Sequence, residues 1–156
     1  MSSPDSSAPE TSIDIEAARC ATPELVHAFG RLLPQLSSST TSVSPEALES
    51  IIATPGTTLL IARDRDAGGR IVGTLTLVMF RIPTALRAWI EDVVVDTEVR
   101  GRGIGEALTL AAVRLAQERG AKTIDLTSRQ SRQAAHRLYE KVGFQIRDTS
   151  VYRYKM

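Results

Sequence analysis

Apolar residues in this chain recur at every second position in some stretches and at every third or fourth in others, and the switches between the two periods divide it into elements. "SIDIEAAR" alternates and predicts a first strand over Ser12 to Ala17. "TPELVHAFGRLLPQL" opens with Thr22 as N-cap and Pro23 at the first helical position, then sets Leu25, Phe29, Leu32 and Leu33 on one face. Pro34 and the run "SSSTTS" should end that helix. "SPEALESIIA" repeats the Ser-Pro-Glu start at Ser44 and predicts a short second helix.

The β-rich runs "TTLLIAR" and "RIVGTLTLVMF" flank the turn "DRDAGG" and read as a hairpin. "RIPTALR" reads as a proline-containing connection, and "AWIEDVVV", Ala88 to Val95, as a further strand. In "IGEALTLAAVRLAQERG", Ile104, Leu108, Ala111, Ala112 and Leu115 make a helical stripe that Gly120 closes. "KTIDLTS" predicts a strand. "SRQAAHRLYEKVG" predicts a helix with Ala135, Leu138 and Val142 inward and Gly143 at its end. "FQIRD" and "SVYRYKM" read as closing strands. Interleaved strands and helices imply an α/β (α+β) layered domain, with helices packed on a mixed sheet.

Composition narrows the class. The 156 residues suit one domain, 42% hydrophobic and 24% charged, with formal net charge +1. That balance carries no electrostatic footprint for nucleic acid, and no apolar run approaches the roughly 20 residues of a membrane span. "MSSPDSSAPETS" lacks a basic or apolar signal region, so residues 1–10 read as a flexible leader and 11–156 as the domain. The single cysteine, Cys20, fits a reducing, cytoplasmic setting and reads as a small buried hydrophobe. With only His27 and His136 beside it, no metal-ligand spacing exists, and no metal is expected.

One stretch points to a ligand. "VRGRGIGEAL" alternates Gly101, Gly103 and Gly105 with Arg100 and Arg102 where a strand gives way to a helix. A helix start leaves its N–H groups unpaired and carries the positive dipole end, and glycines let an anion approach the backbone. A phosphate is the first expectation. A Walker loop would need Lys and Ser/Thr after its last glycine, and a dinucleotide fingerprint would need glycine where Glu106 stands.

"R-G-R-G-I-G" after "IEDVVVDTEV", followed by "AAHRLYEKVGF", resembles the GNAT superfamily of acetyl-CoA-dependent N-acetyltransferases. Arg100, Gly103 and Gly105 match that superfamily's [RQ]-x-x-G-x-[GA] loop. Ala135, Leu138, Tyr139, Gly143 and Phe144 match its N-x-x-A-x-x-L-Y-x-x-x-G-F block, with Arg132 in place of the asparagine. The resemblance covers roughly Thr57 to the C-terminus. It implies a GNAT-type mixed, mostly antiparallel twisted sheet flanked by helices, with acetyl-CoA as co-substrate. By the same resemblance the backbone of Arg100, Gly101, Arg102, Gly103, Ile104 and Gly105 holds the pyrophosphate. Val93, Val94 and Val95 pair with the pantetheine arm, and Arg132 stands where a pantetheine contact is made.

Acetyl transfer to an amine needs a base, since a free alkylamine has a pKa of about 10; it also needs oxyanion stabilisation and a proton for the departing thiolate. Charged residues inside a strand are costly unless used, which singles out Glu91 and Asp92. "IEDVVV" also resembles the matching strand of glucosamine-phosphate N-acetyltransferases, where the acidic pair lies at the acceptor site. Strict alternation sets Glu91 on a face with Trp89, Val93 and Val95, and Asp92 with Ile90 and Val94, unless a bulge intervenes. Glu91 is the favoured base with Asp92 orienting the amine, and Asp125 is the rival. The resemblance makes Tyr139 the acid. His136 reads as a surface residue, and Arg81 and Arg87 as possible holds for an anionic acceptor.

The expected activity is transfer of acetyl from acetyl-CoA to a primary amine of a small molecule or peptide, by direct attack in a ternary complex. The alternatives are a CoA-binding sensor or partner-binding module with weak or no catalysis, and a nucleotide-binding domain. The expected partner is the amine substrate, without nucleic acid or membrane, and a homodimer through the terminal strand is open.

Overall fold

The computed structural model describes residues 11–156, so the leader expected at residues 1–10 lies outside the described residues. Strand β1 (Ile13–Ala17) is followed by helices α1 (Pro23–Leu36) and α2 (Pro45–Ala53), then strands β2 (Thr57–Asp64), β3 (Arg70–Ile82) and β4 (Ala85–Val95). Helix α3 (Ile104–Glu118), strand β5 (Thr123–Asp125) and helix α4 (Gln133–Val142) complete the order. The five strands lie in the order β1-β2-β3-β4-β5. The first three pairings are antiparallel and β4 with β5 is parallel, a mixed sheet as expected.

Local chemistry explains the helix starts. Thr22 Oγ1 accepts from Leu25 N at 3.2 Å and Ser44 Oγ from Ala47 N at 3.1 Å, each followed by proline at the first position. Such caps contribute about 1 kcal/mol each. Pro34 does not end α1: the helix continues to Leu36, and Ser37 N–H still bonds Leu33 O. Proline this close to the end forgoes one bond, to the Gly30 carbonyl, and spares the rest.

The sheet is buried on both faces. Leu60, Leu75, Leu77, Ala88 and Ile90 pack with Ile104, Leu108 and Ala112 of α3 on one side. Leu59, Ile61, Ile71 and Val94 pack with Leu25, Phe29 and Leu32 of α1 and Leu48 of α2 on the other. Each fully buried leucine contributes roughly 1.5–3 kcal/mol. No helix among the described residues is long and apolar enough to cross a membrane.

Three expectations need correction. "RIPTALR" is not a loose connection: β3 and β4 pair as far as Ile82 with Ala85, leaving only Pro83 and Thr84 in the turn. "FQIRD" and "SVYRYKM" are not strands. The sheet ends at β5, whose three residues offer almost no ladder to join, and Ile146, Val151, Tyr152 and Tyr154 stand exposed. Alternation alone cannot supply a pairing edge. Cys20 is exposed rather than buried, because it falls in the link between β1 and α1.

Candidate active site

Strand β4 carries an irregularity at its acidic pair. Thr76 pairs with Glu91 but Thr74 with Val94, so Asp92 and Val93 together oppose Leu75. One extra residue on one strand is a β-bulge, and Asp92 takes its strained position with φ of 51°. The bulge overturns the strict alternation expected for this strand. Ile90 lies in the cluster with α3, while Val94 lies in the cluster with α1. Val93 and Val95 pack against the α3 cluster, so neither shares a face with Glu91. Glu91 keeps Trp89 as its neighbour: Trp89 Nε1 donates to Glu91 Oε1 at 2.8 Å. Both Glu91 and Asp92 are exposed.

Just before the bulge, β4 loses a neighbour. Its pairing with β5 ends at Trp89 opposite Asp125, so the edge from Glu91 to Val95 is open on that side. Among the described residues, backbone groups of Val93, Val94 and Val95 that turn away from β3 have no strand to bond there. An extended ligand with amide groups can take that edge as a strand would.

The glycine loop follows directly. After a turn of 3₁₀ helix, Thr97–Val99, Gly101 and Gly103 adopt φ of +81° and +75°, which side-chain-bearing residues seldom hold. Among the described residues, none of the backbone N–H groups from Arg100 to Glu106 has a protein acceptor, and no side chain caps α3. This row of free donors at a helix start fits a phosphate. Glu106, the one acid in the first turn, is turned to Lys141 Nζ at 2.9 Å. A Cβ built on Gly105 would stand 3.1 Å from Leu138 Cδ1 and 3.8 Å from Val95 Cγ2. Glycine there lets the end of β4, the start of α3 and the residue before Tyr139 meet.

Two buried carboxylates pin this loop, and the sequence reading missed both. Asp64, closing β2, accepts from Arg102 Nη1 at 2.6 Å, while Arg102 Nη2 donates to Ser12 Oγ at 2.9 Å. The Arg102 guanidinium is therefore engaged, leaving its backbone N–H for a ligand. Asp96, closing β4, accepts from Arg31 Nη1 at 3.2 Å and from Glu98 N at 3.2 Å, and Thr97 N donates to Gln35 Oε1 at 2.8 Å. An aspartate ending an apolar run, "LLIARD" or "VVVD", was the available signal.

The hydrogen bond from Arg102 holds the Asp64 carboxyl below the ordinary aspartate range, against the opposing effect of burial. A lowered folded value means the unfolded chain binds the proton first, so this stabilisation is present above pH of about 4 and is lost as pH falls through the folded value. Asp64→Asn is expected to lower the thermal midpoint at pH 7, with the gap to wild type closing as pH falls below about 4, the ordinary aspartate value. Midpoints measured across that range check it; a constant gap would show that the charge of Asp64 is not what stabilises.

Tyr139 lies half-buried on α4, its ring edge-on to Phe144 with centroids 5.8 Å apart. Burial pushes its hydroxyl pKa upward, with the Arg132 charge pulling slightly the other way, so the phenol holds its proton at neutral pH. The hydroxyl has no protein partner among the described residues. Arg132 precedes α4, exposed and without an acceptor for its guanidinium among the described residues. Asp125 lies beside Trp89 across the β4–β5 pair. His136 is half-buried on α4, and its Nε2 lies 2.9 Å from Arg129 O in an exposed contact. Arg81 and Arg87 stand exposed on the β3–β4 hairpin.

The acetyltransferase (GNAT) family model matches residues 26–144. Among curated proteins, the N-alpha-acetyltransferase 30 of Schizosaccharomyces pombe is 38% identical over 71 residues, 46% of this chain and 47% of that protein. The N-alpha-acetyltransferase MAK3 of Arabidopsis thaliana is 34% identical over 86 residues, 55% of this chain and 45% of that protein. The matched stretch thus spans less than half the length of these relatives. A solved structure, a putative acetyltransferase from Agrobacterium tumefaciens str. C58, superposes with TM-score 0.79 at 24% identity, covering 92% of this chain and 99% of that one. Glucosamine-6-phosphate N-acetyltransferase from Arabidopsis thaliana superposes with TM-score 0.76 at 21% identity, covering 91% and 97%. The chain belongs to the acetyltransferase (GNAT) family, whose members take acetyl-CoA as co-substrate.

Proposed function

We propose that this protein transfers the acetyl group of acetyl-CoA to a primary amine, with Glu91 as base, Asp92 orienting the amine and Tyr139 as acid. The observation that carries the reading is the coincidence on β4 of the bulge at Asp92 and the open edge that continues into the glycine loop. The free N–H groups of Arg100, Gly101, Arg102, Gly103, Ile104 and Gly105 hold the pyrophosphate. The backbone edge of Val93, Val94 and Val95 holds the arm, and Arg132 adds a contact to it.

Bound acetyl-CoA supplies an electrophilic acyl carbon and a sulfur leaving group. Glu91, directly or through water, takes a proton from the ammonium form of the acceptor so that a neutral nitrogen attacks. Unpaired N–H groups on the open edge stabilise the oxyanion. As the C–S bond breaks, Tyr139 gives its proton to the departing sulfur; the adduct nitrogen releases its excess proton to solvent, and solvent returns a proton to the phenolate. No nucleophilic side chain takes the acyl group, so attack is direct. The fungal and plant relatives are named N-alpha-acetyltransferases, and peptides with a free α-amino group therefore lead the panel of acceptors, with small amines beside them.

Thermal unfolding with acetyl-CoA, CoA, NADH or ATP tests the loop first. A ligand at about a hundred times its Kd adds roughly 2.7 kcal/mol, so the midpoint is expected to rise with the CoA pair alone. A rise only with NADH or ATP would sink the reading. Binding of CoA with no thiol release across the acceptor panel would favour the non-catalytic CoA-binding module.

A further inference from the structure

The glycine loop has few bonds to hold its shape. Among the described residues, no backbone N–H or C=O of Arg100, Gly101 or Arg102 hydrogen-bonds to another protein group. Gly101 and Gly103, on either side of Arg102, both take positive φ, and glycine has the most backbone freedom to lose on being ordered. A Gly-Arg-Gly segment without backbone bonds does not keep one conformation unaided, so side chains must fix it. Arg100 supplies only an exposed contact, Nε to Val95 O at 3.4 Å, back to the strand from which the loop springs.

Arg102 instead reaches across to other strands. Its Nη1 donates to Asp64 Oδ2 at 2.6 Å, and its Nη2 to Asp64 Oδ1 at 3.4 Å and to Ser12 Oγ at 2.9 Å. Both carboxylate oxygens are engaged by one planar fork, which fixes direction as well as distance. The Asp64 side chain is 3% exposed and is itself held, with Oδ1 accepting from Asp66 N at 3.0 Å. Its backbone lies in the sheet between Ile13 of β1 and Arg70 of β3. The central residue of the loop is therefore anchored to the sheet at β2, not to its own strand.

We infer that Asp64 is a positioning residue for the co-substrate: through Arg102 it holds Gly101 to Gly103 in the anion-binding shape before the pyrophosphate arrives. Asp64 acts through the guanidinium and not on the ligand. A loop ordered beforehand loses no further backbone entropy on binding. The inference rests on the acetyl-CoA reading above and adds that affinity for the pyrophosphate is set from β2.

Calorimetric binding of CoA to wild type, Asp64→Asn, Arg102→Gln and the double variant tests this, at a temperature well below each midpoint. Titration with pantetheine, which lacks the pyrophosphate, is followed beside it by NMR. Asp64→Asn is expected to raise the Kd for CoA roughly 10-fold, the equivalent of reordering about one residue's backbone on binding, and to leave the Kd for pantetheine near wild type. In the Arg102→Gln background the same change is expected to add no further loss, because both substitutions cut one tether. Arg102→Lys, which keeps the charge and loses the fork, carries the same expected split and serves if Asp64→Asn does not fold. Equal weakening of CoA and pantetheine overturns the inference in favour of a general structural role. Unchanged CoA affinity in Asp64→Asn overturns it while leaving the acetyl-CoA reading intact. Tighter CoA binding overturns it by showing that Asp64 competes with phosphate for the guanidinium, and additive losses in the double variant overturn the route through Arg102. Failure of the wild-type protein to bind CoA brings down both readings.

Discussion

Tyr139→Phe is expected to lower kcat by roughly 10²- to 10⁴-fold while the thermal midpoint and the affinity for CoA stay near wild type. The substitution removes one oxygen and keeps the ring, so the edge-on packing against Phe144 survives. The hydroxyl makes no protein hydrogen bond among the described residues whose loss would weaken the fold. Burial raises its pKa, so the wild-type acid remains protonated beyond pH of about 10, where an exposed tyrosine is half ionised. The same burial suits proton donation, because the ionised form left behind is quickly reprotonated at neutral pH. Single-turnover thiol release, read beside calorimetric binding of CoA, separates the chemical step from binding. A variant that releases thiol at the wild-type rate would remove Tyr139 from the mechanism, and one that binds CoA poorly would make it a packing residue.

How much of this was legible in the sequence follows from how local each feature is. The starts of α1 and α2 were readable because cap, proline and first turn lie within four residues of one another. The glycine loop was readable for the same reason: Gly101 and Gly103 need positive φ whatever surrounds them. The bulge was named only as a condition, since it exists in the pairing of Asp92 and Val93 against Leu75 and has no signature in "IEDVVV" itself. Its consequence, that Ile90 and Val94 face opposite helices, could not be read from a strict period of two. Asp64 and Asp96 were missed because their partners Arg102 and Arg31 lie 38 and 65 residues away. The terminal strands failed for a related reason. A run such as "SVYRYKM" shows which faces a strand would present, but pairing needs an edge, and β5 is too short to provide one.

Glu91→Gln is expected to reduce kcat/KM by roughly 10²- to 10⁴-fold near neutral pH, with the deficit shrinking as the pH approaches about 10, where a free alkylamine loses its own proton. Glutamine retains an oxygen to accept the 2.8 Å bond from Trp89 Nε1, so the indole stays in place and only basicity is lost. Glu91 is exposed, and the change leaves no buried group unpaired. The pH profile is the deciding readout. A structural defect would depress both limbs equally, whereas loss of a base is relieved when the acceptor arrives already neutral. Asp92→Asn and Asp125→Asn belong in the same series, since all three residues stand within three positions of the last β4–β5 pair, Trp89 with Asp125. Near-normal activity in Glu91→Gln with the pH-relieved deficit appearing in Asp125→Asn would move the base to β5. The same pattern in Asp92→Asn would move it to the bulge. Persistence of full activity in all three would mean that the acceptor reaches the site as its neutral minor form, and the acidic pair of β4 would then serve to attract the cation rather than to take its proton.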